Sequence, residues 1–410
     1  MDDAIANILT NSSLTVDEKV EKTTELLSCQ PDKGVSESIQ FLLNTNDPAA
    51  ATYPANYLSL LPNIRSEKSM VVEYILKNKN HLMIAAANLV KDISDEIIDQ
   101  LIDEYFQNPS SSDMYSIINE VAQYFPERLR KFATEIDDEY IREALLPGAP
   151  DSWVDDLVSQ YRQNEDPDIL KSLAWIRTEK ALNGLFTLAR LVPKEQLGDI
   201  YAYIESSGVF PDTRLASIYF KNYRGYVVSR HESPHQMGGE FPHPVPKCPV
   251  TGIPANRILT LDVSQVDLSI TSGYNPTFFW YEGTHPPDCI YVQFKPEGIK
   301  GLMTPMTDGV VGTDLIPGEL ALKLEEYPLK HGCGGSAVSG YSNHQVGGYP
   351  RLIRFERFPR CPICGKGMRF LVSIDSGMTP FGKLGFEGIL YGFWCDECAV
   401  SCTCRQTDDY

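Results

Sequence analysis

Two blocks in the second half of this 410-residue chain repeat each other in the same order, and they constrain the fold more than any other feature. His235 begins HQMGG and His344 begins HQVGG. Farther on, KCPVTGIPANRILTLDVS from Lys247 is matched by RCPICGKGMRFLVSIDSG from Arg360. Cys248, Pro249, Gly252 and Asp262 align with Cys361, Pro362, Gly365 and Asp375 at an offset of 113, whereas the HQ-x-GG pair is offset by 109. The copies therefore differ by four residues of length between the two motifs. Such a duplication predicts a pseudo-twofold unit, each half supplying a glycine turn, a knuckle-like turn and a strand that ends in Asp.

Around these blocks the texture is that of short strands. Arg257 to Val263, Thr277 to Tyr281, Cys289 to Phe294, Leu320 to Leu324, Arg369 to Ile374 and Gly388 to Trp394 are apolar or alternating runs. They are separated by turn-rich stretches such as GTHPPD, KPEG and GMTPFGKLG, so a mainly antiparallel β domain is expected over residues 216–410.

Residues 1–215 carry a different period. Thr15 and Glu18 make a capping box ahead of Val16, Val20, Thr23 and Leu27, and Ser94, Asp95 and Glu96 precede the stripe Ile97, Ile98, Leu101, Ile102, Tyr105 and Phe106. Further stripes run through Ile117, Ile118, Val121 and Phe125, and through Val154, Leu157, Val158 and Tyr161. Breaks fall at Pro109, Pro126, Pro147, Pro150, Pro167 and Pro193. The expectation is an α+β chain. An all-α array, HEAT-like or an irregular bundle since no repeat holds in register, is followed by the duplicated β-rich domain.

The strongest chemistry is metal ligation. Cys361-Pro-Ile-Cys364-Gly is a tight turn in which two thiolates converge, and Cys395-Asp-Glu-Cys398 is a second pair, with 30 residues between Cys364 and Cys395. Two strand-like runs in the spacer can return one pair to the other, which predicts a structural Zn²⁺ bound by Cys361, Cys364, Cys395 and Cys398. Full thiolate ligation leaves no open position, so such an ion serves folding and not hydrolysis. The first copy keeps Cys248 but has Thr251 in place of Cys364 and is expected to be metal-free. Cys402 and Cys404 either replace Cys398, bind separately, or stand as reduced thiols in a surface tail.

Nine of ten cysteines lie from Cys248 onward, and MDDAIANILT has no basic n-region, so paired metal ligands in a cytoplasmic protein are expected rather than disulfides. No apolar run of about 18 residues argues for a membrane span. The net charge of −19 disfavours nucleic acid and anionic membranes as partners. Residues 1–225 hold 36 acids and 21 bases, a net of −15, against 19 and 15 in the remainder. Acidity on that scale either keeps the protein soluble or steers a basic partner, for which Asp137, Asp138, Glu139, Asp155 and Asp156 are candidate contacts.

His235 and His344 occupy equivalent contexts and invite an acid–base reading, an enzyme of unknown reaction built on the two HQ-x-GG turns. A histidine bonded to the turn or packed in the core is the plainer alternative, and turn capping is the plainer role for Asp262 and Asp375.

HQVGGYP from His344, CPIC from Cys361, MRFLVSID from Met368 and GILY from Gly388 together resemble the YwqG-like family of bacterial domains. The likeness covers about residues 330–400, with a weaker image at 235–295, and leaves residues 1–215 untouched. It implies a duplicated α+β or β-rich domain of a kind met near polymorphic toxins, hence an immunity protein, and it supplies no catalytic residues. The combined expectation is a binding protein that neutralises a basic toxin or effector domain by stoichiometric contact.

Overall fold

The computed structural model describes residues 2–108, 112–192, 197–208, 221–282, 288–307, 315–327, 331–334, 337, 340, 343–354 and 357–408. The breaks expected at Pro109 and Pro193 and most of GTHPPD lie outside them. The chain is α+β, helices first and strands after. It divides into two compact units, Met1–Leu145 with Met378–Lys383, and Leu146–Gly377 with Leu384–Tyr410.

Ten α-helices of the first unit lie among the described residues: α1 (Asp2–Thr10), α2 (Val16–Ser28), α3 (Pro31–Asn44), α4 (Pro48–Ser59), α5 (Arg65–Asn78), α6 (Met83–Ala87), α7 (Asp95–Gln107), α8 (Ser112–Tyr124), α9 (Pro126–Leu129) and α10 (Glu139–Ala144). Prolines open helices here rather than merely separating them. Pro31, Pro48 and Pro126 stand in the first turns of α3, α4 and α9, where a missing N–H costs no hydrogen bond. The Thr15–Glu18 capping box is formed at α2. Ile97, Ile98, Leu101 and Ile102 of α7 and Ile117, Ile118 and Val121 of α8 are buried, as the stripes require. Val16 differs: it is 67% exposed, because the buried face of α2 starts at Thr23. Lys68 of α5 is buried and its Nζ reaches Asp92 Oδ2 at 2.6 Å and the Leu61 carbonyl at 2.8 Å, so the cation enters the unit paired.

Helices α11 (Asp151–Asn164), α12 (Pro167–Ile176), α13 (Glu179–Leu188) and α14 (Leu197–Ser206) belong to the second unit with the strands. The switch from helix to strand thus falls between Ser206 and Asn222, while the division into compact units falls after Leu145. One tie between these helices and the β region is Arg177. It leaves α12 in the left-handed conformation (φ 57°), lays its guanidinium 3.4 Å from the Tyr349 ring, and donates to the carbonyls of His331 (2.7 Å) and Cys333 (3.1 Å). Tyr349, from the second glycine turn, lies in the same apolar cluster as Leu173, Ile176, Leu185 and Ile204.

The strands are β1 (Asn222–Ser229), β2 (Gln236–Gly238), β3 (Val245–Pro246), β4 (Asn256–Thr260), β5 (Thr277–Trp280), β6 (Cys289–Lys295), β7 (Gly298–Leu302), β8 (Met306–Thr307), β9 (Glu319–Tyr327), β10 (His344–Gly347), β11 (Arg369–Asp375), β12 (Met378–Thr379), β13 (Gly382–Lys383), β14 (Ile389–Cys395) and β15 (Val400–Gln406). KPEG is the turn between β6 and β7. GMTPFGKLG contains the hairpin β12–β13, which counts with the first unit and packs on α2. Eleven strands form one antiparallel sheet in the order β5-β4-β2-β9-β1-β10-β11-β14-β15-β6-β7. It curls so that the Phe279 N–H of β5 donates to the Thr403 hydroxyl of β15 at 3.3 Å.

The first eight strands of that order are symmetric about the β9–β1 pair, and β15, β6 and β7 extend it on one side. Outward from β9 run β2, β4 and β5; outward from β1 run β10, β11 and β14. Each copy of the duplication therefore lends its first strand to the other half. The likeness extends to single hydrogen bonds. Nδ1 of His235 accepts from the Asp262 N–H at 3.1 Å, and Nδ1 of His344 from the Asp375 N–H at 3.2 Å. A Cβ at Gly238 would stand 2.3 Å from the Gly318 carbonyl oxygen, and one at Gly347 2.3 Å from that of Lys221, with φ of 61° and 71°. Only glycine fits either place. The ladders carry the same irregularity, between Arg257 and Leu259 in β4 and between Phe370 and Val372 in β11.

Candidate metal centre

Both knuckles are backbone turns closed in the same way. The Cys248 N–H donates to the Ile253 carbonyl (2.8 Å) and Gly252 N–H to the Cys248 carbonyl (2.9 Å); the Cys361 N–H donates to Lys366 and Gly365 N–H to Cys361, each at 2.8 Å. Gly252 and Gly365 have φ of 73° and 72°, the left-handed conformation that lets the chain reverse so tightly. In the second copy β11 and β14 pair antiparallel, Arg369 opposite Trp394, so the turn entering β11 and the turn leaving β14 meet at one end of the sheet. Cys361, Cys364, Cys395 and Cys398 converge there, with all four sulfurs within 4.8 Å of one another and Cys364 Sγ 3.7 Å from Cys395 Sγ. Sulfurs held tetrahedrally about 2.3 Å from a common ion stand about 3.8 Å apart. The four cysteines are thus arranged to hold a metal ion.

Electrostatics set the condition for such an ion, since the thiols must ionise to bind it. Burial pushes the Cys398 thiol up to about 12 and that of Cys395 higher still, with Cys361 beside both adding to the effect. Burial acts against ionisation of Cys364 too, but the Lys366 N–H and the neighbouring sulfurs outweigh it and hold this thiol below its ordinary value. Four thiolates cannot share such a space without a counter-charge, and a cation supplies it. The surroundings brace the second knuckle. Lys366 pairs with Glu397 across the two turns. Asp396 accepts the Thr271 hydroxyl, the Trp394 indole N–H (3.1 Å) and the N–H groups of Thr271 and Ser272, which together overcome its burial and hold its carboxyl at about 2.

The first copy shows what happens without the sulfurs. Trp280 donates to Glu282 at 3.0 Å as Trp394 does to Asp396, which sets Tyr281 in the place of Cys395. The hydroxyl and N–H of Thr251 serve the Cys248 sulfur and hold that thiol below its usual value. Burial raises the Tyr281 pKa, and its neighbour Cys248 adds to the effect. The Trp-x-acid pair is a legible repeat signal, Phe-Trp-x-Glu and Phe-Trp-x-Asp at an offset of 114, lying just beyond the blocks that carry the duplication.

Cys402 and Cys404 are not in a surface tail. Both lie on β15 inside the sheet, Cys402 fully buried, and Cys404 is disulfide-bonded to Cys289 directly across from it on β6. The expectation failed because the C-terminal residues pair with β14 and β6, and an interior strand buries its side chains. The spacing C-x-C, two sulfurs on one face of a strand, was the available signal.

The other candidates are placed as follows. His235 and His344 are buried, each with Nδ1 committed to a backbone N–H. Asp262 Oδ1 caps a short turn through the Ser264 N–H at 3.0 Å, and Asp375 accepts the N–H groups of Gly340 (2.8 Å) and Asn343 (3.3 Å). Asp137 and Glu139 are exposed, Asp138 caps α10 through the Ile141 N–H, and Asp155 and Asp156 are exposed on α11, Asp155 paired with Lys180. Three of the five thus fall in the first unit and two in the second. No helix among the described residues is long and apolar enough to cross a membrane.

No family model matches the chain, and no solved structure matches it. A stretch of 62 residues, 15% of this chain, is 34% identical to the uncharacterized protein YpfL of Salmonella typhimurium, of which it spans 14%.

Proposed function

We propose that the protein is a cytoplasmic immunity-type binding protein that neutralises a basic toxin domain by stoichiometric contact, and that its four-cysteine centre holds a structural Zn²⁺. The carrying observation is where its polar chemistry is spent. The duplicated histidines accept backbone N–H groups, Asp262 and Asp375 cap turns, and the cysteine centre offers four sulfurs with no open position. Charge supports the reading. Residues 1–145 hold 25 acids and 12 bases, a net of −13 out of −19 for the chain. Such a field accelerates encounter with a cationic surface. The YwqG-like motifs of residues 330–400 support it from the other half of the chain.

The test is protection. The protein is co-expressed with basic toxin domains taken from reading frames adjoining its own, and growth, complex stoichiometry and association rate are measured. A one-to-one complex that associates more slowly as salt rises is expected, with Asp137, Asp138, Glu139, Asp155 and Asp156 reversed to Lys slowing it further. If His235→Asn or His344→Asn abolishes protection while fold and partner binding are unchanged, the protein acts as an enzyme on the histidine turns.

A further inference from the structure

Beside the four-cysteine centre lies a second group of sulfurs. Cys289, Cys402 and Cys404 have their sulfurs within 4.8 Å of one another. The ladder explains the convergence: Cys404 faces Cys289 across β15 and β6, with Cα atoms 4.4 Å apart, and Cys402 lies two residues before Cys404 on the same face of β15. A disulfide uses only two of these atoms. The third, Cys402 Sγ, is 3.5 Å from Cys404 Sγ.

We propose that Cys289, Cys402 and Cys404 form a second metal site, a three-thiolate site for a soft monovalent ion of the Cu(I) class, closed by the Cys289–Cys404 disulfide and opened by its reduction. Sulfurs in a plane around an ion at about 2.3 Å stand about 4 Å apart, close to the 3.5 Å between Cys402 Sγ and Cys404 Sγ and within the 4.8 Å that encloses all three. The donor set is three sulfurs; Cys402 belongs to a hydrophobic cluster with Phe393 and Val400, and the Tyr291 hydroxyl is hydrogen-bonded to its sulfur. Soft thiolates in such surroundings favour Cu(I) over hard cations, and trigonal coordination suits an ion that does not demand a fourth ligand. Access is graded, since Cys289 and Cys404 are half-buried and Cys402 is fully buried. A small reductant can reach the disulfide while the third ligand stays protected.

The redox step balances with a low-molecular-weight thiol, RSH. Two RSH are oxidised to RSSR as the bond between Cys289 and Cys404 breaks, and their two electrons and two protons leave both cysteines as thiols. On binding, each ligating thiol gives its proton to water and its sulfur to the ion. Closure runs in reverse: the ion leaves, the thiols become a disulfide and RSSR is reduced to two RSH.

The experiment uses the full chain with its four-cysteine centre loaded. Protein with the disulfide intact and protein reduced and freed of reductant are titrated anaerobically with Cu(I) held by a coloured chelator. Copper transfer and metal released from the first centre are read together. The reduced protein is expected to withdraw one Cu(I) per chain with no loss from the first centre, and the disulfide form none. Cys402→Ser should weaken uptake at least about tenfold while still forming the Cys289–Cys404 disulfide, whose presence by mass spectrometry certifies the fold. Cys402→Ala serves if the serine variant does not fold. No uptake by reduced protein, unchanged affinity without Cys402, equal uptake by the disulfide form, or copper displacing the first ion one for one would each overturn the proposal.

Discussion

The two copies of the duplicated unit keep the same backbone and have parted in chemistry. Around Cys248 and Cys361 the turns close with the same hydrogen bonds, and the same irregularity follows in β4 and β11. Yet the second copy presents four sulfurs where the first offers Cys248, Thr251 and Tyr281 in the corresponding places. The difference teaches that the knuckle is a backbone turn before it is a metal site. Its geometry is set by Gly252 or Gly365 and by the strand that follows, and a hydroxyl and a phenol stand in the first copy where the second has sulfurs.

The comparison can be broken most forcefully at the sulfurs. Replacing Cys361, Cys364, Cys395 or Cys398 by Ser is expected to remove the bound metal and cost about 5 kcal/mol or more, because an ion bound only in the folded state contributes its binding energy to folding. Cys248→Ser, the corresponding change in the first copy, should cost about 1 kcal/mol and leave metal content unchanged. Elemental analysis with thermal denaturation reads both. Equal losses in the two copies would mean that the turn, and not the ion, carries the stability.

The glycine turns test the shared backbone. Gly238→Ala and Gly347→Ala each bring a Cβ against a carbonyl oxygen at 2.3 Å in a left-handed conformation. We expect each to destabilise the unit by about 3 kcal/mol in denaturant titrations, and by the same amount within about 1 kcal/mol. A large inequality would show that the copies have diverged in how they use the turn.

Much of this was legible in the letters, for reasons that differ by region. HQ-x-GG and CP-x-[TC]-G could be read because positive φ favours glycine in both, reinforced at Gly238 and Gly347 by a carbonyl that a Cβ would strike, so the pattern records a backbone constraint. CPIC and CDEC could be read because an ion needs paired sulfurs. The exchange of β1 and β9 between the copies could not, since strand order depends on pairings between residues about a hundred apart and β1 has no motif of its own. Nor could the grouping of α11–α14 with the sheet unit, where Arg177 and Tyr349 meet across 172 residues of chain. The sulfurs of Cys289 and Cys404 were hidden for the same reason, at a separation of 115.

The smallest expected effect is at the histidines, and it separates a structural role from a chemical one. Removing the ring by His235→Ala or His344→Ala leaves the Asp262 or Asp375 N–H without its acceptor, at a cost of about 1–3 kcal/mol. Asparagine retains an acceptor near Nδ1, so His235→Asn should recover part of that loss at neutral pH. Burial lowers the His235 pKa, the Asp262 carboxylate opposing it more weakly, so the folded protein prefers the neutral ring. The unfolded chain then binds the proton more readily. The contribution of His235 is accordingly complete above the unfolded value of about 6.5 and is lost as pH falls from there through the folded value. Wild-type protein should therefore lose stability on acidification through that window, and His235→Asn should flatten part of the slope. An unchanged slope in the variant would mean that the buried imidazole does not titrate with folding. The hydrogen bond to Asp262 would then not depend on keeping Nδ1 unprotonated.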